Sequence, residues 1–242
     1  MPLRQCAVMG RLADVRAVLF DLDGTLVDTL PDIAWCLNHV LGQHRLPPLA
    51  VESVRALVGG GVAAMIERVA HEHGVEDAQH LQAAYSACYR QHLVKLSRPY
   101  AGVEPLLEAL GARGLPMAVV TNKAHALALQ VVEYLLPTNA FAVVIGHRAG
   151  QRLKPAPDAA LQAAERLGVA PGHCLFVGDT AIDLLTAQAA GMSAVAAGWG
   201  YGEPDVLHDH NPQLYCEHPH QLLAAMCPAA GQPPRAELTG SL

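Results

Sequence analysis

The chain has 242 residues, 52% hydrophobic, 16% charged and 5% aromatic, with a formal net charge of −6. A chain of that length buries roughly 70–75% of the surface it exposes when unfolded, so a large core needs no disulfide staples. The acidic balance excludes a broad nucleic-acid footprint. The N-terminus lacks a signal-peptide block. The longest charge-free stretch, Leu184 to Gly202, is interrupted by four glycines and makes a poor membrane span. A cytoplasmic protein with no nucleic-acid or membrane partner is expected.

Six cysteines (Cys6, Cys36, Cys88, Cys174, Cys216 and Cys227) carry no C-x-x-C spacing and read as reduced thiols. Of the histidine pairs, His71/His73 stands on a helical pattern, where an i,i+2 pair does not share a face. His208/His210 and His218/His220 lie among prolines and aspartates. None of the three pairs suggests a zinc site.

In chain order, the first apolar run, Val15–Leu22, reads as a strand and ends in the carboxylates Asp21 and Asp23, followed by Gly24 and Thr25. Thr29, Pro31 and Asp32 then mark a helix start. Three helical stripes follow: Ile33, Leu37, Val40, Leu41; Val62, Met65, Ile66, Val69; and Leu81, Ala84, Tyr85, Cys88, His92. After them come the stripe Val103, Leu106, Leu107, Leu110, the strand Met117–Thr121, the helix Ala124–Leu135 and the strand Ala142–Ile145. The helix Asp158–Leu167 stops at Gly168. The strands Cys174–Gly178 and Ser193–Ala197 flank a helix over Ile182–Ala190, stopped by Gly191.

Unbroken apolar strands alternating with helices predict a doubly wound, Rossmann-like parallel α/β sheet covered on both faces. The gap of about 90 residues between Asp23 and Met117 is too long for one crossover. It predicts an all-helical inserted domain over 29–97. Residues 1–28 and 98–227 then form the α/β core, and 228–242, rich in turn formers, a loose tail.

Ligands of open α/β sheets bind beyond the carboxyl ends of the strands. Four polar groups fall there: Asp21 and Asp23; Thr121, Asn122 and Lys123; Lys154 between stiffening prolines; and Asp179 with Asp183 one turn on. Two carboxylates two residues apart in extended backbone point to one face, which brings like charges together.

These segments, "DLDGT", "VVTNK", "LKPAPD" and "GDTAID", resemble the four ordered motifs of the haloacid dehalogenase superfamily, in its phosphatase branch with a helical cap. The resemblance covers nearly all of Val15 to Met226. It implies Asp21 as nucleophile, Asp23 as general acid and base, and Lys154 as charge stabiliser. It also implies Mg2+ held by Asp21, the Asp23 backbone carbonyl and Asp179, with Asp183 orienting water or Lys154. Thr121, Asn122 and Lys154 would hold the phosphoryl group. Asp23 argues against a dehalogenase, which needs no leaving-group acid there. The repulsion between Asp21 and Asp23 raises one of their pKa values, which would help to keep the general acid protonated.

Within the superfamily, "VVTNKAHAL", "ERLGVAP", "FVGDTAIDLLTAQAAGM" and "GWGYGE" are most similar to bacterial phosphoglycolate phosphatases. Ala124 departs from the proline common there, and the cap is shorter than in some members. Gly59, Gly60 and Gly61 resemble a cap loop lowered over substrate, although a helix break would look the same. The resemblance implies a small phosphorylated metabolite as partner, 2-phosphoglycolate foremost, and a monomer or homodimer. Alternatives are N-acetylmuramic acid 6-phosphate or another sugar phosphate, a nucleotide, pyrophosphate, a sugar phosphomutase reaction, or a phosphate-binding module without turnover.

Overall fold

The structure, a computed structural model, describes Leu12 and residues 14–226. The chain enters through β1 (Ala17–Phe20) and turns into β2 (Val27–Asp28), which pairs antiparallel with β3 (Arg98–Pro99). Between β2 and β3 lie α1 (Leu30–Gln43), α2 (Val51–Arg55), α3 (Val62–Glu72) and α4 (Ala78–His92). The remainder runs α5 (Val103–Ala112), β4 (Met117–Ala124), α6 (His125–Leu135), β5 (Val143–His147), α7 (Asp158–Leu167), β6 (Cys174–Gly178), α8 (Ala181–Ala189), β7 (Ser193–Ala197), α9 (Pro204–Asp209), β8 (Leu214–Cys216) and α10 (Pro219–Met226).

Six strands make one parallel sheet in the order β5-β4-β1-β6-β7-β8. The chain builds outward from β1 to β4 and β5, then crosses back to β6 on the other side of β1. The carboxyl end of β1 is therefore the switch point where such sheets open a crevice. Helices cover both faces, which is why the strands read as unbroken apolar runs. Val18 and Phe20 pack in one layer with Leu106, Leu107 and Leu110 of α5 and Val131 of α6. Ala17 and Leu19 pack in the other with Ala160, Ala163 and Ala164 of α7 and Ala187 of α8. The small side chains of α7 let that helix approach the sheet closely.

Several boundaries differ from the sequence expectation. β1 is shorter than Val15–Leu22 because the chain turns at once: the Leu22 carbonyl accepts from the N–H groups of Leu26 and Val27, both at 3.0 Å. β4 runs past Thr121 to Ala124, with an irregular register between those two residues. β5 begins after Ala142 and extends to His147. The β2–β3 pair, α2, α9, β8 and α10 had no periodic signal, being too short or too rich in turn formers. The expected stops hold: Gly168 and Gly191 adopt φ +69° and +70° behind α7 and α8. The expected tail, and Cys6 and Cys227, lie outside the described residues.

The helices of the insert bury most of their predicted stripes, among them Leu37 and Leu41 of α1, Ile66 and Val69 of α3, and Leu81 and Tyr85 of α4, whereas Val62 at the start of α3 is exposed and Ala84, Cys88 and His92 are half-buried. Thr29 does not cap α1 with its side chain, whose hydroxyl donates instead to Asp23 Oδ1 at 2.7 Å. The return of the chain is fixed by Asp32, fully buried in the first turn of α1. Its carboxylate accepts from Leu96 N–H at 3.0 Å, Ser97 N–H at 2.8 Å and Ser97 Oγ–H at 2.6 Å. Replacing Asp32 by alanine leaves these donors buried without a partner. The variant Asp32→Ala is expected to lose about 2–3 kcal/mol of unfolding free energy in urea titrations.

Candidate active site

The site is built at the carboxyl ends of β1, β4 and β6. Asp21 follows β1 directly, and its N–H still donates to Val177 of β6 at 2.9 Å, which anchors it in sheet geometry. Asp179 follows β6. Asp183 stands in the first turn of α8, where its Oδ2 accepts from the N–H and hydroxyl of Thr180 at 3.0 and 2.8 Å. Lys154 arrives from the loop between β5 and α7 and is buried. Its Nζ lies 2.6 Å from Asp183 Oδ1 and 2.8 Å from Asp21 Oδ1, and it donates to the Val120 carbonyl at 3.1 Å.

Two carboxylates, Asp21 and Asp183, therefore flank one ammonium, and a third, Asp179, lies beside them. Ligand oxygens of Asp21, Asp179 and Asp183 lie within 4.8 Å of one another, all buried. Burial pushes the Asp21 carboxyl up to about 7, with Asp183 and Asp23 adding to the rise and Lys154 opposing it. Burial likewise holds Asp179 well above the ordinary carboxylate range, reinforced by Asp183 and Asp21. For Lys154, burial disfavours the charge, but Asp183 and Asp21 outweigh it and raise the amine above its ordinary value. The cluster has more negative charge than its own cation can balance.

Asp21 Oδ1 is buried and pairs with Lys154 Nζ at 2.8 Å, while the other bonds of that amine run to Asp183 and Val120. Three buried carboxylates offering oxygen donors only are the donor set of a hard divalent cation, so these residues fit Mg2+.

Asp23 lies at the edge of this cluster. Lys123 Nζ donates to its two carboxylate oxygens at 2.8 and 3.1 Å, and Thr29 holds one of them. The same ammonium donates to Tyr89 Oη of α4 at 2.8 Å and sits 4.7 Å from the centre of that ring. Of the influences that raise the Asp21 carboxyl, burial is the largest, Asp183 follows, and the like charge of Asp23 is the smallest.

Thr121 is buried at the end of β4, where its hydroxyl accepts from the Lys123 N–H at 3.2 Å. The Asn122 amide is fully engaged: Oδ1 accepts from Lys154 N–H at 2.8 Å, and Nδ2 donates to the carbonyls of Gly59 and Lys154 at 2.9 and 3.2 Å. That side chain fixes the Lys154 loop and ties it to the glycine loop of the insert. Gly59 adopts φ +114° and approaches Thr180 and Ile182, and Gly61 at φ +86° approaches Leu153, so this loop does descend on the site loops.

The sequence reading gave no role to several supporting residues, although three stand inside quoted motifs. Thr25 donates its hydroxyl to Asp179 Oδ1 at 2.7 Å. Tyr201, in "GWGYGE", donates its N–H to Asp179 Oδ2 at 2.8 Å, while its hydroxyl accepts from Thr29 and Leu30 N–H at 2.8 and 2.9 Å. Lys123 ends "TNK". Tyr89 and Arg55, which donates to the Gly200 carbonyl, come from the insert and had no local signal. Surface cavities of about 390 Å3 beside Trp35 and 470 Å3 beside Gln188 lie away from this cluster; chemistry rather than cleft size locates the site.

Comparison with known proteins agrees with this architecture. Residues 18–197 match the family model of the haloacid dehalogenase-like hydrolases. Phosphoglycolate phosphatase of Xylella fastidiosa is 36% identical over 92% of this chain and 96% of its own length. That of Chromobacterium violaceum is 35% identical over 81% and 90%. N-acetylmuramic acid 6-phosphate phosphatase of Pseudomonas aeruginosa is 34% identical over 86% and 93%. The crystal structure of a predicted phosphoglycolate phosphatase from Haemophilus somnus superposes with a TM-score of 0.82 at 28% identity, covering 87% of this chain and 97% of that one. The chain belongs to the haloacid dehalogenase-like hydrolase family. It is a phosphatase of that family, a phosphoric monoester hydrolase.

Gly24 tests the packing of the site. It adopts φ +87°, and a Cβ there would collide with the Asp179 carboxylate and the Tyr201 ring. Gly24→Ala is expected to displace Asp179 and lower kcat/KM for p-nitrophenyl phosphate by roughly 100-fold, the scale set by about 1 Å of misplacement.

Proposed function

We propose that the protein is a Mg2+-dependent phosphatase of small anionic esters that works through an aspartyl-phosphate, with 2-phosphoglycolate as its substrate. The observation that carries this reading is the buried Asp21 carboxylate, ion-paired with Lys154 and in the same cluster as Asp179. The substrate follows the names of the Xylella and Chromobacterium relatives.

In this mechanism an Asp21 oxygen attacks phosphorus while the bond to the leaving oxygen breaks. Asp23 gives that oxygen its proton, leaving glycolate and a phosphorylated Asp21. The Asp23 carboxylate then takes a proton from water, whose oxygen attacks phosphorus and releases Asp21 and inorganic phosphate. Lys123 and Thr29 orient Asp23 for both steps. Lys154 balances charge on Asp21 and on the phosphoryl group, and Asp183 and the Asn122 side chain hold Lys154 in position. Phosphoryl oxygens are received by the Thr121 hydroxyl and by backbone N–H groups around Asn122. Asp21, Asp179 and the Asp23 carbonyl would hold Mg2+, which supplies charge neutralisation at the phosphoryl oxygens. The insert acts as a cap: Gly59–Gly61, Arg55 and Tyr89 close on the core, exclude water and contact the leaving group.

A second reading, hydrolysis of N-acetylmuramic acid 6-phosphate, is favoured by the Pseudomonas relative. A panel of phosphate esters separates the two. The expected result is a kcat/KM for 2-phosphoglycolate above those of sugar phosphates; the reverse order would move the assignment to a sugar ester. Asp21→Asn is expected to abolish turnover of every ester in the panel, and persistent activity would remove Asp21 as nucleophile.

Metal binding has its own signature in stability. With EDTA present, folded Asp21 holds its proton up to about pH 7, whereas an unfolded carboxyl releases it near the ordinary value of 3.8. The folded state binds that proton more tightly, so the stability it contributes at low pH is lost as pH rises through about 7. The melting temperature without metal is expected to fall between roughly pH 4 and pH 7. Saturating Mg2+ should raise it at pH 8, and Asp179→Asn should remove that rise; scanning calorimetry reads both.

A further inference from the structure

We propose that Cys36, Cys88 and His92 form a second metal site, inside the helical insert, for a thiophilic dication of the Zn2+ type. One sulfur from each cysteine and a ring nitrogen of His92 lie within 4.8 Å of one another. Cys88 and His92 are four residues apart on α4 and so present one helix face, and Cys36 meets them from α1. The two cysteines are 52 positions apart in the chain, a spacing with no motif to reveal it.

The His92 ring is prepared for such a role. Its Nδ1 lies 3.2 Å from the Cys88 carbonyl, and because a carbonyl can only accept, Nδ1 carries the proton and Nε2 the lone pair. That is the orientation a backbone carbonyl imposes on metal-ligating histidines. Trp35 stacks on the same ring at 4.2 Å between centroids, which fixes its plane.

Charge balances as well. On binding, both thiols lose their protons to solvent, and two thiolates with a neutral imidazole cancel a 2+ charge, so no net charge is buried. Asp32, the nearest carboxylate to act on Cys36, is engaged with Leu96 and Ser97 and is not a ligand. Without metal, burial holds the Cys36 thiol far above its ordinary value, with Cys88 and Asp32 adding and Lys95 opposing, so the thiol stays protonated. Cys88 and His92 are only partly buried, which gives an ion a path and leaves a fourth position for water.

The two metal sites separate by donor chemistry: carboxylate oxygens for Mg2+, sulfur and imidazole for the softer ion. They are nonetheless mechanically linked. Tyr89 follows Cys88 on α4 and contacts Lys123, which holds Asp23. A metal bridging α1 and α4 would restrain the helix that carries Tyr89 and slow the opening of the insert. The effect on turnover rests on the function proposed above; the existence of the site does not.

The test is a Co2+ titration of the full chain, kept reduced and saturated with Mg2+ to occupy the aspartate cluster. The expected result is one equivalent of cobalt giving sulfur-to-metal charge-transfer and tetrahedral d–d absorption, both erased by Zn2+. Cys88→Ser and His92→Gln, at partly exposed positions, should each weaken binding by at least about 100-fold, the upper end of what loss of an outer-shell partner costs. In the intact protein Zn2+ should lower kcat, and in Cys88→Ser it should not. Absence of the charge-transfer band in the reduced protein, or a band unchanged in Cys88→Ser, would overturn the site. A spectroscopically sound site with unchanged kcat would overturn only the link to turnover.

Discussion

The structure turns on one buried ammonium. Lys154 sits among Asp21, Asp183 and the Val120 carbonyl, removed from water, where an unpaired charge would cost several kcal/mol. Three segments at the carboxyl edge of the sheet house it: β1 leads to Asp21, β4 supplies the Val120 carbonyl and the Asn122 amide, and α8 supplies Asp183. Burial, with neighbouring carboxylates adding to it, drives Asp21 and Asp179 toward their neutral forms. In the proposed mechanism a divalent cation would offset this excess of carboxylates and the charge of the phosphoryl group together.

Close packing of charges demands room. Gly178, at the end of β6, lies where a Cβ would collide with the Asp183 side chain, and Gly24 occupies the equivalent position against Asp179. These glycines are part of the electrostatic design: they let carboxylates approach backbone and one another more closely than a chain with side chains at those positions would permit.

The insert joins this cluster through few but specific contacts. Asn122 binds the Gly59 carbonyl, Lys123 binds Tyr89, and Arg55 reaches the Gly200 carbonyl. Each core partner also touches a site residue: Asn122 holds Lys154, Lys123 holds Asp23, and the loop of Gly200 carries Tyr201 to Asp179. The contacts of the insert and the alignment of the site thereby share the same core residues. Tyr201 adds a further link, because its hydroxyl receives the N–H groups of Thr29 and Leu30 where the chain enters α1.

The sequence by itself determined the layered α/β class, the interruption after Asp23, and the set Asp21, Asp23, Lys154, Asp179 and Asp183. Buried parallel strands must be apolar throughout, and chemistry collects at their ends, so both features are local and readable. Tertiary structure decided what depends on long-range approach. The two-residue strands β2 and β3 exist only by pairing with each other, and β8 only by joining β7. That the Asn122 side chain serves Lys154 and Gly59, that Tyr89 meets Lys123, and that Cys36 meets Cys88 and His92 are outcomes of packing between distant segments, for which local periodicity carries no signal.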